Sequence, residues 1–184
     1  FTFTRLSTVG TPTGGRCLEI GAGGGSVARW LAGRVGPTGR VVATDLNTRH
    51  LPTDAGYEVL RHDVVAEPVP DGPWDVIHTR MVLLHIPERR DVLRRLAAAL
   101  APGGALVVED WATRFGNLVL AAPTKDDADL IDAYQRALVD TILPGRGNDP
   151  DWAESVHAEM LALGLSDVDT HIDAESWRGG TPGA

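Results

Sequence analysis

The sequence holds a single cysteine, Cys17, and that scarcity closes several routes. One thiol excludes an intrachain disulfide and any cysteine-rich zinc site. It fits a reducing, cytoplasmic setting. No HExxH, no Cys/His ligand spacing and no acidic triad is present, so no metal is expected. Apolar runs are short, and none approaches the ~20 residues needed to cross a bilayer. No membrane partner is therefore expected. A signal-peptide pattern is also missing. The chain opens on Phe1 rather than Met and stops in a Gly-rich run, so it reads as a fragment at both ends.

Basic charge is in deficit. Lysine and arginine number 17 against 25 aspartates and glutamates, a net charge of −8. An acidic domain repels a phosphate backbone, so no nucleic-acid partner is expected. What is present is ordinary for one soluble α/β domain: 184 residues, 43% hydrophobic and 23% charged.

Residues 1–14 lack a clear period and read as a tail. A repeating βα pattern then begins, the signature of a parallel sheet. Strands are expected at Arg16–Ile20, Arg40–Thr44, Tyr57–Arg61, Trp74–Thr79 and Ala105–Glu109. Ser26 is placed to cap a helix carrying Val27, Trp30, Leu31 and Val35 on one face. Pro87 opens another, with Val92, Leu93, Leu96 and Leu100 inward, and Pro102-Gly103-Gly104 stops it. Residues 15–111 thus form a binding core. Residues 112–150, with one helix near Asp126–Leu143, form a lid. Residues 151–184 add a helix with Trp152, Val156, Met160 and Leu163 on one side, then a weak strand at Val168–Trp177.

The chief signal is Glu19-Ile20-Gly21-Ala22-Gly23-Gly24-Gly25-Ser26, between a predicted strand and a predicted helix. Glycine is required where the chain turns sharply and a ligand meets backbone; side chains at Gly21 and Gly23 would fill the ligand's space. A dinucleotide fingerprint needs a third glycine where this chain has Ser26. Glu19 also places negative charge near a turn that a pyrophosphate would want free of it. A phosphate-free, cationic nucleoside fits better. Asp45, at the tip of the second strand, can accept both ribose hydroxyls, or simply cap the next helix. Asp63 can accept from an adenine amino group while Val64 packs on the ring; the alternative is a surface-turn aspartate.

These motifs, with Trp74–His85 and Ala101–Asp110 in the same order and spacing, resemble class I S-adenosylmethionine-dependent methyltransferases of the bacterial small-molecule type. The resemblance spans about residues 14–111. It implies a Rossmann-like three-layer α/β sandwich on a mostly parallel seven-stranded sheet, with the last strand and the N-terminal helices missing here. It implies S-adenosylmethionine as cofactor and S-adenosylhomocysteine as product. Gly21, Ala22 and Gly23 would line the methionine portion, with Glu19 supporting the loop. Asp45 would hold the ribose, Leu46 would pack on adenine, Asp63 and Val64 would bind the base, and Arg80 would approach the amino-acid end through its backbone.

His85 is the candidate base, since a histidine after strand four can take a proton near neutral pH; local packing is the other reading. His78, inside the strand, reads as structural. Asp110 and Trp111 sit at the sheet's carboxyl edge, open to either role. Arg89, Arg90, Arg94 and Arg95 read as the solvated face of a helix, with Asp91 pairing Arg95. The fourth motif, His78-Thr79-Arg80-Met81, lacks the Pro-Pro signature of nucleic-acid amino methyltransferases, and no Pro-Cys nucleophile exists. A small, partly apolar acceptor, such as a natural-product or other secondary metabolite, is expected, with Phe115, Leu118 and Leu120 as pocket candidates. A homodimer stays open. A silent cofactor-binding module and a nicotinamide oxidoreductase are the alternatives.

Overall fold

The computed structural model describes residues 1–113 and 119–175. Five parallel strands form the sheet: β1 Arg16–Ile20, β2 Arg40–Asp45, β3 Glu58–Arg61, β4 Trp74–Arg80 and β5 Leu100–Glu109, in the order β3-β2-β1-β4-β5. The helices are α1 Thr2–Val9, α2 Ser26–Val35, α3 Arg89–Ala98, α4 Lys125–Ala137, the short α5 Leu143–Gly145 and α6 Trp152–Ala162.

Strand alternation sorts the core into two layers. Cys17, Val41, Ala43 and Val76 face α2 and meet Val27, Ala28, Leu31 and Val35. Leu18, Ile20, Val42 and Ile77 face the other way and meet Val92, Leu93 and Leu96 of α3 with Trp152 of α6. A sheet covered on both faces needs apolar residues at consecutive positions, which is why β1, β2 and β4 are continuous runs. The register is in phase around β1, where Cys17 pairs with both Val41 and Val76.

Four elements depart from expectation. Residues 2–9 are a helix rather than a tail, because Leu6 is fully buried against the α2 layer and Phe3 stacks on Trp30 at 5.6 Å. An N-terminal helix is therefore present. Ser26 is the first helical residue, not the cap; Gly25 caps α2 in the left-handed conformation, φ 74°. β5 begins five residues early, at Leu100 opposite Trp74, and residues 101–104 bulge before Ala105 pairs with Val76. Gly104 is needed there, since a Cβ would lie 2.7 Å from the Trp74 carbonyl oxygen. Five strands are described instead of seven, and residues 168–175 form none; 176–184 lie outside the described residues.

The expected 126–143 helix begins at a capping box on Thr124 and Asp127, then widens into a π-helical stretch at Leu138–Ile142 before α5. No residue of α4 is buried. No helix among the described residues is long and apolar enough to cross a membrane.

Candidate functional site

In this strand order, β1 is flanked by β2 and β4, and the chain leaves β1 and β4 toward opposite faces. The connections part at their carboxyl ends and leave a crevice, the usual ligand position in such sheets. The glycine turn enters this crevice.

Gly21, Gly23 and Gly25 all have positive φ, at 68°, 55° and 74°. Their reasons differ. A Cβ on Gly21 would lie 2.3 Å from Val82 Cγ2, and one on Gly25 would lie 2.2 Å from the Tyr57 hydroxyl. Gly21 is thus required by the neighbouring β4 turn, not by ligand space as the sequence suggested. Only at Gly23, and at Gly24 beside it, does the added carbon meet nothing within 4 Å. The turn is fastened to β2: Ala22 N donates to Thr44 O at 2.8 Å, and Gly23 N to Asp45 Oδ2 at 2.9 Å. Ala22 packs against the α2 layer.

Asp45 also accepts from Asn47 N through Oδ1 at 2.9 Å. Its carboxylate is held rigidly at the tip of β2 with further lone pairs to spare. Leu46 beside it is 60% exposed, an apolar side chain in the open. Asp63 Oδ1 caps a turn, accepting from Val65 N at 2.9 Å and Ala66 N at 3.3 Å, while Oδ2 has no partner among the described residues. Val64 is buried in the α3 layer. Its carbonyl accepts from Arg95 Nη2 at 2.6 Å, so the turn is clamped from α3.

Glu19 does not reach the crevice. It is 3% exposed, and its Oε2 lies 2.8 Å from Nδ1 of His78. Nε2 of His78 lies 3.3 Å from Oε1 of Glu109. Burial opposes charge on His78, but the two carboxylates outweigh it and raise the ring to about 9. Burial pushes Glu19 up, opposed by that same ring. Arg80, exposed at the end of β4, donates through Nη1 to the Thr2 hydroxyl at 3.2 Å.

His85 lies exposed on a 3-10 turn, Leu83–His85, with Nδ1 bonded to Asn148 Oδ1. With that oxygen as acceptor, Nδ1 is the donor, so Nε2 is the nitrogen that would act on a substrate. Arg89 is not on a solvated face. It is 7% exposed and donates to the carbonyls of Leu83 and Gly147. Asp91 does pair with Arg95, at 2.9 Å. Trp111 is 67% exposed and Leu120 81%; Phe115 and Leu118 lie outside the described residues. Among the described residues no His, Cys, Asp and Glu cluster is placed to hold a metal.

Asp110 was legible only as an edge residue, yet its carboxyl is strongly perturbed. Burial drives it up to about 7, against the pull of the Trp152 indole and the backbone N–H groups of Leu84, Val82 and Met81. None of these meets its oxygens in hydrogen-bond geometry, and both oxygens are buried. A carboxyl raised in the folded state binds its proton more tightly there than in the unfolded chain. Its ionisation therefore subtracts stability as pH rises from about 4 to 7. Asp110→Asn should then be nearly neutral at pH 4 and stabilising at pH 8 by a few kcal/mol. Urea midpoints at the two pH values check this; a gain independent of pH would refute it.

The fold and the glycine turn define a Rossmann-like α/β domain with a ligand crevice at its carboxyl edge. The chain belongs to the methyltransferase-domain family, whose model matches residues 2–172. Methyltransferase str2 of Strobilurus tenacellus is 40% identical over 110 residues, covering 56% of this chain and 38% of that protein. The ubiquinone/menaquinone biosynthesis C-methyltransferase UbiE of Pseudomonas syringae pv. tomato is 29% identical, over 95% of this chain and 71% of its own. The crystal structure of a SAM-dependent methyltransferase from Aquifex aeolicus shares the fold, with a TM-score of 0.54 at 18% identity, covering 88% of this chain and 78% of that one.

Proposed function

We propose that this domain binds S-adenosylmethionine at the glycine turn and transfers its methyl group to a small organic acceptor by in-line displacement. One observation carries the reading: the space over Gly23 is open, Asp45 holds the Gly23 N–H from the tip of β2, and along the same carboxyl edge follow the exposed Leu46 and, just past the end of β3, Asp63 with one oxygen unpartnered among the described residues. These suit, in turn, vicinal ribose hydroxyls, an adenine face and an exocyclic amino group. The bound cofactor supplies a methyl group already activated on a sulfonium.

The protein's share is orientation and exclusion of water, which contributes about 7–11 kcal/mol in well-aligned reactions. Asp45 and Asp63 fix the nucleoside, and Gly21–Gly23 offer backbone to the methionine end. Arg80 sets the end of β4, beside which that amino-acid end would lie. His85, through Nε2, takes a proton where the acceptor is a hydroxyl. The sequence likeness to an enzyme of ubiquinone and menaquinone biosynthesis supports a small organic acceptor, and a natural-product or other secondary metabolite is the acceptor class included in this proposal. A cytoplasmic setting and a homodimer belong to the same proposal.

Asp45→Ala removes the ribose acceptor and loosens Gly23. Hydrogen bonds to a charged group contribute ~1.5–3 kcal/mol, so affinity for S-adenosylhomocysteine should fall at least about tenfold. Calorimetry on the folded variant reads this, and unchanged affinity would refute the ribose assignment. Turnover to S-adenosylhomocysteine with candidate acceptors separates an enzyme from a silent binding module.

A further inference from the structure

A buried polar chain runs beneath the glycine turn and ends on the N-terminal helix. Glu19 of β1 meets His78 of β4 at 2.8 Å, His78 meets Glu109 of β5 at 3.3 Å, and Glu109 Oε2 accepts from the Thr2 hydroxyl of α1 at 2.6 Å. Arg80 closes the chain on Thr2 at 3.2 Å. Glu19 and His78 are almost wholly buried, and Glu109 is half-buried. Methyl transfer as proposed above uses none of His78, Glu109 or Thr2.

We propose that His78 is a positioning residue that couples docking of α1 to the geometry of the Gly21–Gly25 turn. The coupling rests on the cofactor reading only in its consequence for affinity. A neutral imidazole has one N–H and can donate to one carboxylate; with carboxylates on both ring nitrogens, both must donate. The charged and titratable groups facing the ring are Glu19 from β1 and Glu109 from β5, with Arg80 of β4 nearby, so the charges balance within the cluster. Glu19 stands two residues before Gly21, and its carbonyl accepts from the Thr44 hydroxyl, which joins β1 to the β2 residue that holds Ala22. A change in the Glu19 side chain is thereby felt at the turn. At the other end, Thr2 is 7% exposed and fixed only while α1 lies on the sheet. Undocking α1 takes away one of the two partners of Glu109 and weakens its hold on His78.

The test uses the full chain with isotope-labelled histidine. In the wild type the His78 ring should stay protonated to about pH 9, while an ordinary histidine titrates near 6.5. Thr2→Val keeps side-chain shape and removes the hydroxyl. It should lower the His78 titration point and speed amide hydrogen exchange at residues 20–25 several-fold. Affinity for S-adenosylhomocysteine should fall about 5- to 20-fold, within the usual range of coupled sites. Glu109→Gln should move the same readouts in the same direction. A His78 ring titrating near 6.5, or exchange at residues 20–25 unchanged in both variants, would overturn the coupling. A wild-type chain that does not bind S-adenosylhomocysteine would overturn the cofactor reading instead, and the titration and exchange would still decide this one.

Discussion

Arg89→Ala should cost about 3–5 kcal/mol, because it strands the polar groups that a buried guanidinium now joins. Arg89 donates to Leu83 O at 3.2 Å and Gly147 O at 2.6 Å, and pairs with Asp149 at 3.3 Å. Asp149 in turn donates its N–H to Leu84 O at 2.9 Å. One side chain thus fastens the segment after α5 to the turn that carries His85. Desolvation lowers the pKa of the guanidinium, with Asp149 opposing. Urea unfolding should show the loss, and proteolysis within residues 144–150 should accelerate. Arg89→Lys should recover little, since an ammonium cannot reproduce a planar fork to two carbonyls and a carboxylate. A cost under about 1 kcal/mol for the alanine variant would show that the segment is held by other contacts.

The second large effect separates two glycines of one turn. Gly21→Ala should destabilise by about 2–5 kcal/mol, since the cost of driving its methyl group into Val82 adds to that of a left-handed φ. Gly23→Ala meets no protein atom, so only the positive φ opposes it, at roughly 1–2 kcal/mol. Its methyl group would instead occupy the space assigned to the cofactor. Affinity for S-adenosylhomocysteine should therefore fall about 10- to 100-fold in a protein that still folds. Unchanged binding by Gly23→Ala would place the ligand elsewhere.

How much of this the sequence showed depends on whether a residue answers to its neighbours in the chain or to distant ones. β1, β2 and β4 were readable because strands buried on both faces must be apolar throughout. The glycine turn and Asp45 were readable because strand, turn and helix succeed one another directly. The helix α1 was not, since it is Thr-rich and its apolar contacts come from just Leu6 and Phe3, its other ties being polar and long-range; the three-residue spacing of that pair was the available clue. Pro102-Gly103-Gly104 reads as a helix stop, but the helix ends at Ala98 and these residues bulge from β5. The arginines of α3 look alike in a pattern of polar positions. Only the fold reveals that Arg89 faces residues 147–149 and Arg95 faces residues 64–67. Glu109 meets Thr2 across 107 residues, and no local pattern encodes such a pairing.

The lone thiol of β1 has a practical consequence. Cys17 is fully buried at the centre of the sheet, and burial pushes it up to about 12, so it is neither reachable nor ionised near neutral pH. A labelling reagent can attack it only after the middle strand has come loose, which makes its rate of modification a built-in clock for opening of the native state. For the same reason, a reporter cysteine introduced on the surface would carry a dye at one defined place without any need to replace the native residue.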